Sequence, residues 1–228
     1  MDRIVPGVDQ IAFGYVNAFV LDGGKTLVDA GPWKNGRRVL RALGDEGRAL
    51  RNVLITHHHI DHVGPLSRLV GEGVSFWAHP LDAAVIQGTA PVPSPASRSS
   101  LERTGVWAVE NLGPKRKHAH VGRELADGEE IPVGDGLIAY HTPGHTAGHV
   151  SFLMPSKRLL FVGDAAANYL GRLGPPFGLY SENHDAVRTS IAKIAALDFD
   201  IACFGHGRVL KGAASARFRT LAERVSSA

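Results

Sequence analysis

The sequence predicts an α/β fold made of two sheet-plus-helix halves packed together, and three observations predict it. Short apolar runs bounded by Gly, Asp and Pro occur before residue 80 and again after residue 127. Segments with helical spacing accompany them in both halves. Several of the apolar runs end on a polar side chain beside a glycine, as a buried strand does when it runs out into a loop. No residue-level repeat relates the two halves.

In chain order, "QIAFGY", "NAFVLD" and "KTLVDA" read as an antiparallel meander turning at Gly14 and at Asp22-Gly23-Gly24. "NGRRVLRALGDEG" has helical spacing and stops on glycine, and "NVLIT" is a buried-strand run. A helix-like "GPLSRLVGEG", a strand "VSFWAH" and a helix "LDAAVIQG" follow. The Pro- and Ser-rich "TAPVPSPASRSS" breaks the pattern and leads into a helix-like "SLERTGVWAVENL". It is too short to link two complete domains, so residues 1–228 are read as one domain with a lid segment over 89–112. The strand pattern returns in "EEIPVGDGLIAYHT", "HVSFLM" and "RLLFVGD"; a helix "HDAVRTSIAKIAAL", a strand "DIACFG" and a last helix close the chain.

Composition excludes several function classes. The formal net charge of +3 is spread along the chain apart from "KRKHAH" at Lys115 to His120, so no nucleic-acid partner is expected. "MDRIVPGVDQ" has no apolar export core and no stretch is long enough to span a bilayer, so a cytoplasmic protein without a membrane partner is expected. A single cysteine, Cys203, rules out an intramolecular disulfide and reads as a buried, inert thiol. The expected partner is a small-molecule substrate, with a homodimer as an open assembly.

The chemistry concentrates in "ITHHHIDHVG", which delivers four histidines and an aspartate directly after a buried strand. His57, His59 and Asp61 are spaced by two, so on extended backbone they share one side, while His62 points elsewhere toward a neighbouring site. His145 follows a Pro-Gly turn in "HTPGHTAGHVSF", Asp164 ends the strand "LLFVGD", and His206 stands between two glycines in "CFGHGRV". Singly each is a common loop residue; in this order they reinforce one another.

H-x-H-x-D-H, P-G-H, strand-end G-D and G-H-G together resemble the metallo-β-lactamase-fold hydrolases, in particular their glyoxalase II-like branch. The resemblance runs from "VNAFVLDGGKTLVDAGP" to "GHG". It implies a four-layer αββα sandwich with a dinuclear metal centre. It further implies that His57, His59 and His145 hold one ion, that Asp61, His62 and His206 hold the other, and that Asp164 bridges them. Imidazoles and carboxylates without thiolate suit two divalent ions, Zn²⁺ first, with Fe or Mn also accepted. His58 fills a variable position of the motif, is read as a neighbour of the site, and its replacement by Ala is expected to change little. Asp29 matches the family's strand-end aspartate, which implies support of a ligand; on its own it reads equally as a turn-initiating Asp. His79, His118, His120, His141, His149 and His184 match no ligand position and are assigned to surface or packing.

The implied reaction is hydrolysis of a carbonyl ester, thioester or lactone by a metal-bridging hydroxide. Asp61 is expected to orient that nucleophile and pass its proton onward. Glutathione-thioester hydrolases of this branch carry a long helical extension after G-H-G, where this chain has only Arg208 to Ala228. The resembling lactonases place a tyrosine shortly after the bridging Asp; Tyr169 stands slightly later and is a catalytic candidate, with a pocket-wall role as its alternative. Phe177 and Tyr180 are expected to line the acyl pocket, Arg172 to meet an anionic end, and Trp107 to contribute from the lid. Two alternatives share the fold: an iron-dependent persulfide dioxygenase or other redox member, and a phosphodiesterase or nuclease.

Overall fold

The protein is described by a computed structural model over residues 1–44, 49–70, 73–96, 104 and 117–227. The first sheet contains β1 (Asp2–Val5), β2 (Val8–Ala12), β3 (Asn17–Leu21), β4 (Thr26–Val28), β5 (Asn52–Leu54), β6 (Ser75–Ala78) and β7 (Arg123–Glu124), in that spatial order. Strands β1 to β4 form an antiparallel meander, and β4 to β7 run parallel. β1 is a strand the sequence does not announce, because Asp2 and Arg3 are exposed and only Ile4 is fully buried.

Helices α1 (Gly36–Leu43), α2 (Ile60–Val63), α3 (Leu66–Leu69) and α4 (Pro80–Gln87) belong to this half. Pro80 at the first turn of α4 lacks only an N–H that would be unpaired there, and left-handed Gly88 ends the helix. The expected helix over "SLERTGVWAVENL" lies outside the described residues, apart from Thr104.

The second half contains β8 (Glu130–Ile131), β9 (Leu137–His141), β10 (Val150–Met154), β11 (Leu159–Gly163), β12 (Ala167–Tyr169), β13 (Arg172–Gly174), β14 (Ile201–Phe204) and β15 (Leu210–Lys211). Six of these form the sheet β15-β14-β11-β10-β9-β8, antiparallel except for the β11/β14 pair. β12 and β13 make a separate two-stranded ribbon. Helices α5 (His184–Ala195) and α6 (Ala214–Ser226) complete this half, with Asn183 Oδ1 capping α5 by accepting from the Asp185 and Ala186 N–H groups at 3.0 Å.

Period-two alternation explains why these strands are apolar on both faces. Phe19, Leu21, Val28 and Leu54 point into a core between the sheets, where they meet Phe152, Met154, Leu159 and Phe161. Their neighbours Val20, Leu27 and Val53 face a second core under α1, α3 and α4 with Val39, Leu66 and Ile86. Leu160 and Val162 face a third core under α5 and α6 with Ile191, Ile194 and Phe218. Helices, sheet, sheet, helices is the four-layer αββα sandwich, with each large buried side chain stabilising it by about 1.5–3 kcal/mol. Among the described residues no helix is long and apolar enough to cross a membrane.

The two sheets meet at one edge. There the Val150 N–H donates to Thr56 O at 2.8 Å and the Asn17 N–H to Gly205 O at 2.8 Å. The segments that follow β5, β9, β11 and β14 all run out at this edge.

Candidate metal centre

Extended backbone after β5 carries His57 to His59, and at His59 (φ −63°, ψ 145°) the chain turns into the single-turn helix α2. This corrects the reading of spacing alone. Helical backbone from Ile60 swings Asp61 away from His57 and His59 and toward His62 and His206. Three donor groups form with ligand atoms within 4.8 Å of one another: His57, His59 and His145; His57, His62 and Asp164; and Asp61, His62 and His206.

Donor atoms of the groups face one another at short range. His59 Nδ1 is 3.0 Å from His145 Nε2, and His62 Nε2 is 3.3 Å from His206 Nε2. Asp164 lies between them, with Oδ2 at 3.4 Å from His145 Nε2 and 3.1 Å from His206 Nε2. Its Oδ1 is 3.7 Å from His62 Nε2, and Asp61 Oδ2 is 3.3 Å from His206 Nε2.

The opposite ring nitrogens are tied back into the protein. His57 Nδ1 meets Thr56 Oγ1 at 3.0 Å, His62 Nδ1 meets Asp29 Oδ2 at 2.9 Å, His145 Nδ1 meets Ser181 Oγ at 3.3 Å, and His206 Nδ1 donates to Tyr15 O at 2.8 Å. Asp29 sits at φ 58°, an uncommon position for a residue with a Cβ, and its carboxylate also accepts from Thr56 N–H and Oγ1–H. Such outward bonds fix ring orientation and tautomer, as metal-holding imidazoles require. His57 Nε2 and Asp164 Oδ1 are buried and have no hydrogen-bond partner. Orphaned acceptors at the centre of a cluster fit a cation that the protein atoms leave room for.

Glycines permit the close approach. A Cβ on Gly205 would overlap Asp164 Oδ1 and His62 Cε1, and one on Gly163, at φ 57°, would press into His149 Nε2. His149, which matches no ligand position in the sequence, is fully buried and has a part in the site. Its Nε2 accepts from the Asp164 N–H at 2.9 Å, and its Nδ1 meets Thr142 Oγ1 at 2.9 Å. It holds the aspartate's backbone in place.

Electrostatics sort the imidazoles into two kinds. Burial, reinforced by neighbouring imidazoles, drives His57 and His59 well below the ordinary value, so their lone pairs are free near neutrality. Burial takes His145 down to about 4 against the pull of Asp164. For His62, burial is outweighed by Asp164, Asp29 and Asp61, which push it up to about 9. Burial is likewise outweighed at His206, where Asp164 and Asp61 raise it to about 12. Asp164 is held far below the carboxylate range, its burial overcome by His62 and His206. A concentration of carboxylate charge that protonates two imidazoles marks a place where cations are favoured.

His58 belongs to none of the donor groups, yet it is not incidental. It is buried, its N–H donates to Asp82 Oδ2 at 2.8 Å, and its ring lies 3.2 Å from Asp82 and 4.0 Å from Glu182. Replacing it by Ala would open a cavity beside two carboxylates, which corrects the expectation of little effect.

A pocket of about 400 Å³ opens over the cluster, reaching His59, Asp61, His145, Asp164 and His206. Tyr169, Phe177 and Tyr180 line it. Tyr15, Ile60, Pro93, Pro95 and Glu182 also line it, without a signal in the sequence. The Ala96 N–H donates to Ser181 O at 2.8 Å; beyond Ala96 the segment expected to act as a lid lies, apart from Thr104, outside the described residues. Trp107 lies outside the described residues. Arg172 is elsewhere: it lines a separate depression with Arg217 and Arg224. The β12–β13 ribbon leans on α6, where Arg217 Nη2 donates to Gly171 O and Arg224 Nη2 to Leu173 O, so the arginine faces that helix instead of the pocket.

The sequence pattern of the metallo-beta-lactamase superfamily matches residues 11–206, which takes in every residue of the donor cluster. This chain is a member of that superfamily. The probable metallo-hydrolase YflN of Bacillus subtilis (strain 168) is 30% identical over 226 residues, covering 88% of this chain and 82% of its own length. A hydroxyacylglutathione hydrolase of Fuscovulum blasticum is 29% identical over 199 residues and covers 85% of this chain. The match takes in 62% of that protein's length, less than two thirds of it. Among solved structures, the metallo-beta-lactamase family protein TTHA1429 of Thermus thermophilus shares the fold with a TM-score of 0.70 and 22% identity, over 99% of this chain and 80% of the other.

Proposed function

We propose that the chain is a metal-dependent hydrolase that holds two divalent ions, zinc first among them, and cleaves an ester, thioester or lactone. One observation carries the reading: the Asp164 carboxylate lies between two donor sets, 3.4 Å from His145 Nε2 and 3.1 Å from His206 Nε2, with His57 Nε2 and Asp164 Oδ1 buried and unpaired while four outer ring nitrogens are anchored. His57, His59 and His145 would hold one ion, Asp61, His62 and His206 the other, and Asp164 both. Ions bound there supply a water of lowered pKa and polarise a carbonyl oxygen.

The chain's own groups do the rest. Asp61, partly open to the pocket, accepts a proton from water and passes it toward the leaving group. Tyr169 lines the same pocket, and burial raises its phenol above the ordinary value, so at neutral pH it is a hydrogen-bond donor to the substrate. The aromatic wall of Phe177 and Tyr180 holds the acyl part. The names of the relatives support hydrolysis and bring a glutathione thioester into the set of substrates to test.

The test is a panel of carboxylic ester, thioester, lactone, β-lactam and phosphodiester substrates, with sulfite formation from glutathione persulfide as the redox control. Zinc-loaded protein should hydrolyse at least one of the first three. Sulfite formation by the iron form with no hydrolysis by the zinc form would overturn the reading in favour of a dioxygenase.

A further inference from the structure

Outside the donor cluster, the described residues of the pocket wall combine aromatic surface with a single carboxylate and no lysine or arginine. Tyr15 stacks on His206 with ring centroids 6.0 Å apart and planes at 16°, and the Tyr180 ring stands 6.5 Å from that of His59. Phe177 extends the wall outward, 6.2 Å from Tyr180. An aromatic side chain therefore rises beside a histidine of each donor set. Tyr15 and Phe177 remain 62% and 57% exposed, apolar surface at the pocket that the described residues leave open.

Among the described residues lining this pocket there is no lysine or arginine. The one charged side chain there outside the donor groups is Glu182, whose Oε2 accepts from the Ala147 N–H at 2.8 Å and whose other face meets His58, itself against Asp82. Arg172 faces α6. Pro93, Pro95, Phe177 and Glu182 are the described lining left to meet the remote groups of a substrate whose reacting carbonyl would sit at the cluster. A carboxylate carried there, as on the glutathione part of a thioester, would be desolvated beside another carboxylate with no described cation to pair with it. An apolar wall discriminates only modestly between uncharged chains, but an unpaired charge rejects strongly.

We propose that this site selects uncharged esters and lactones with an apolar acyl chain over anionic thioesters, and that Tyr15, Phe177 and Glu182 make that selection. The inference rests on the hydrolase reading and narrows it. In the reaction, the oxygen of water joins the acyl carbon, the carbon–oxygen bond of the alkoxy group breaks, and the proton from water passes to the departing alcohol.

The experiment uses the full metal-loaded chain and two non-hydrolysable ligands, an uncharged γ-lactam bearing a hexanoyl chain and S-hexylglutathione, with affinities measured by titration calorimetry. The lactam should bind about tenfold tighter or more. Phe177→Ala and Tyr15→Ala should weaken the lactam, and Glu182→Gln should narrow the gap by improving S-hexylglutathione. Phe177→Leu and Tyr15→Leu serve if the alanine variants do not fold. Equal or tighter binding of S-hexylglutathione, or no binding of the lactam, would overturn the proposal. Turnover of a hexanoyl lactone against hexanoylglutathione separates the two readings. If neither is hydrolysed the hydrolase reading fails while the binding ratio still judges the selection, and a preference for the thioester sinks the selection alone.

Discussion

At the donor cluster, four of five imidazoles have their outer nitrogen fixed by Thr56, Asp29, Ser181 or the Tyr15 carbonyl, and the aspartate between them is backed by His149. On the adjoining pocket wall, Tyr15 and Phe177 are largely exposed, and the segment carrying Phe177 and Tyr180 holds only a single 3-10 turn, Gly178–Tyr180, between the β12–β13 ribbon and α5. One region is held from behind by buried hydrogen bonds; the other rests on local backbone and aromatic contacts. From this difference we expect reaction and specificity to be separable in this molecule. Changing the cluster should alter what can be catalysed, and changing the wall should alter only which compound is accepted.

The largest expected effect lies at the cluster. Asp61→Asn retains size and polarity and removes the charge beside His206, so kcat on any good substrate should fall by about 10² or more with the circular dichroism spectrum unchanged. A larger loss of kcat from Phe177→Ala than from Asp61→Asn would break the division between the two regions.

Next comes the support behind the cluster. Asp82 accepts from the His58 N–H, the Thr146 hydroxyl and the Gly148 N–H, each at 2.8 Å. Asp82→Asn should lower unfolding stability by about 1–3 kcal/mol in urea titrations. The pH dependence has a definite sign. Burial raises the Asp82 pKa, but the bonds from His58 and Thr146 outweigh it and leave the folded value below the ordinary 3.8. A depressed carboxylate stabilises fully above its unfolded pKa and loses that contribution as pH falls through the folded one. Wild-type stability should therefore drop below about pH 3.8 by more than that of Asp82→Asn. Parallel curves would remove Asp82 from the account.

The smallest effect sharpens the comparison from the other side. Phe177→Ala should raise KM for a hexanoate ester by about tenfold and leave KM for the matching acetate ester within about twofold, with metal content unchanged. Equal changes for both esters would assign Phe177 to the fold and not to the pocket.

The same division explains what could be read in the sequence. His57 and His59 are legible because they follow a buried-strand run in a histidine-rich segment, and His145, Asp164 and His206 because each adjoins a glycine where the strand pattern gives way to a loop; the apolar runs make most of the strands plain. Asp61 was misplaced by spacing because α2 is a single turn, too short to leave a helical period. Tyr15, Asp82 and Glu182 carried no local signal. The Tyr15 carbonyl meets a ring 191 residues away, and Asp82 meets Gly148 66 residues away, contacts that exist only once the two halves close. Arg172 was misassigned because a two-stranded ribbon with a tight turn does not declare which neighbour it leans on.

The central claim is that one aspartate joins two metal-holding sets, and metal content tests it most directly. Wild type, purified and equilibrated with zinc, should carry two ions per chain by mass spectrometry under native conditions, and His206→Ala should carry one, since it removes a donor from one set and leaves His57, His59 and His145 intact. A single ion in wild type that is unaffected by His206→Ala would contradict the account.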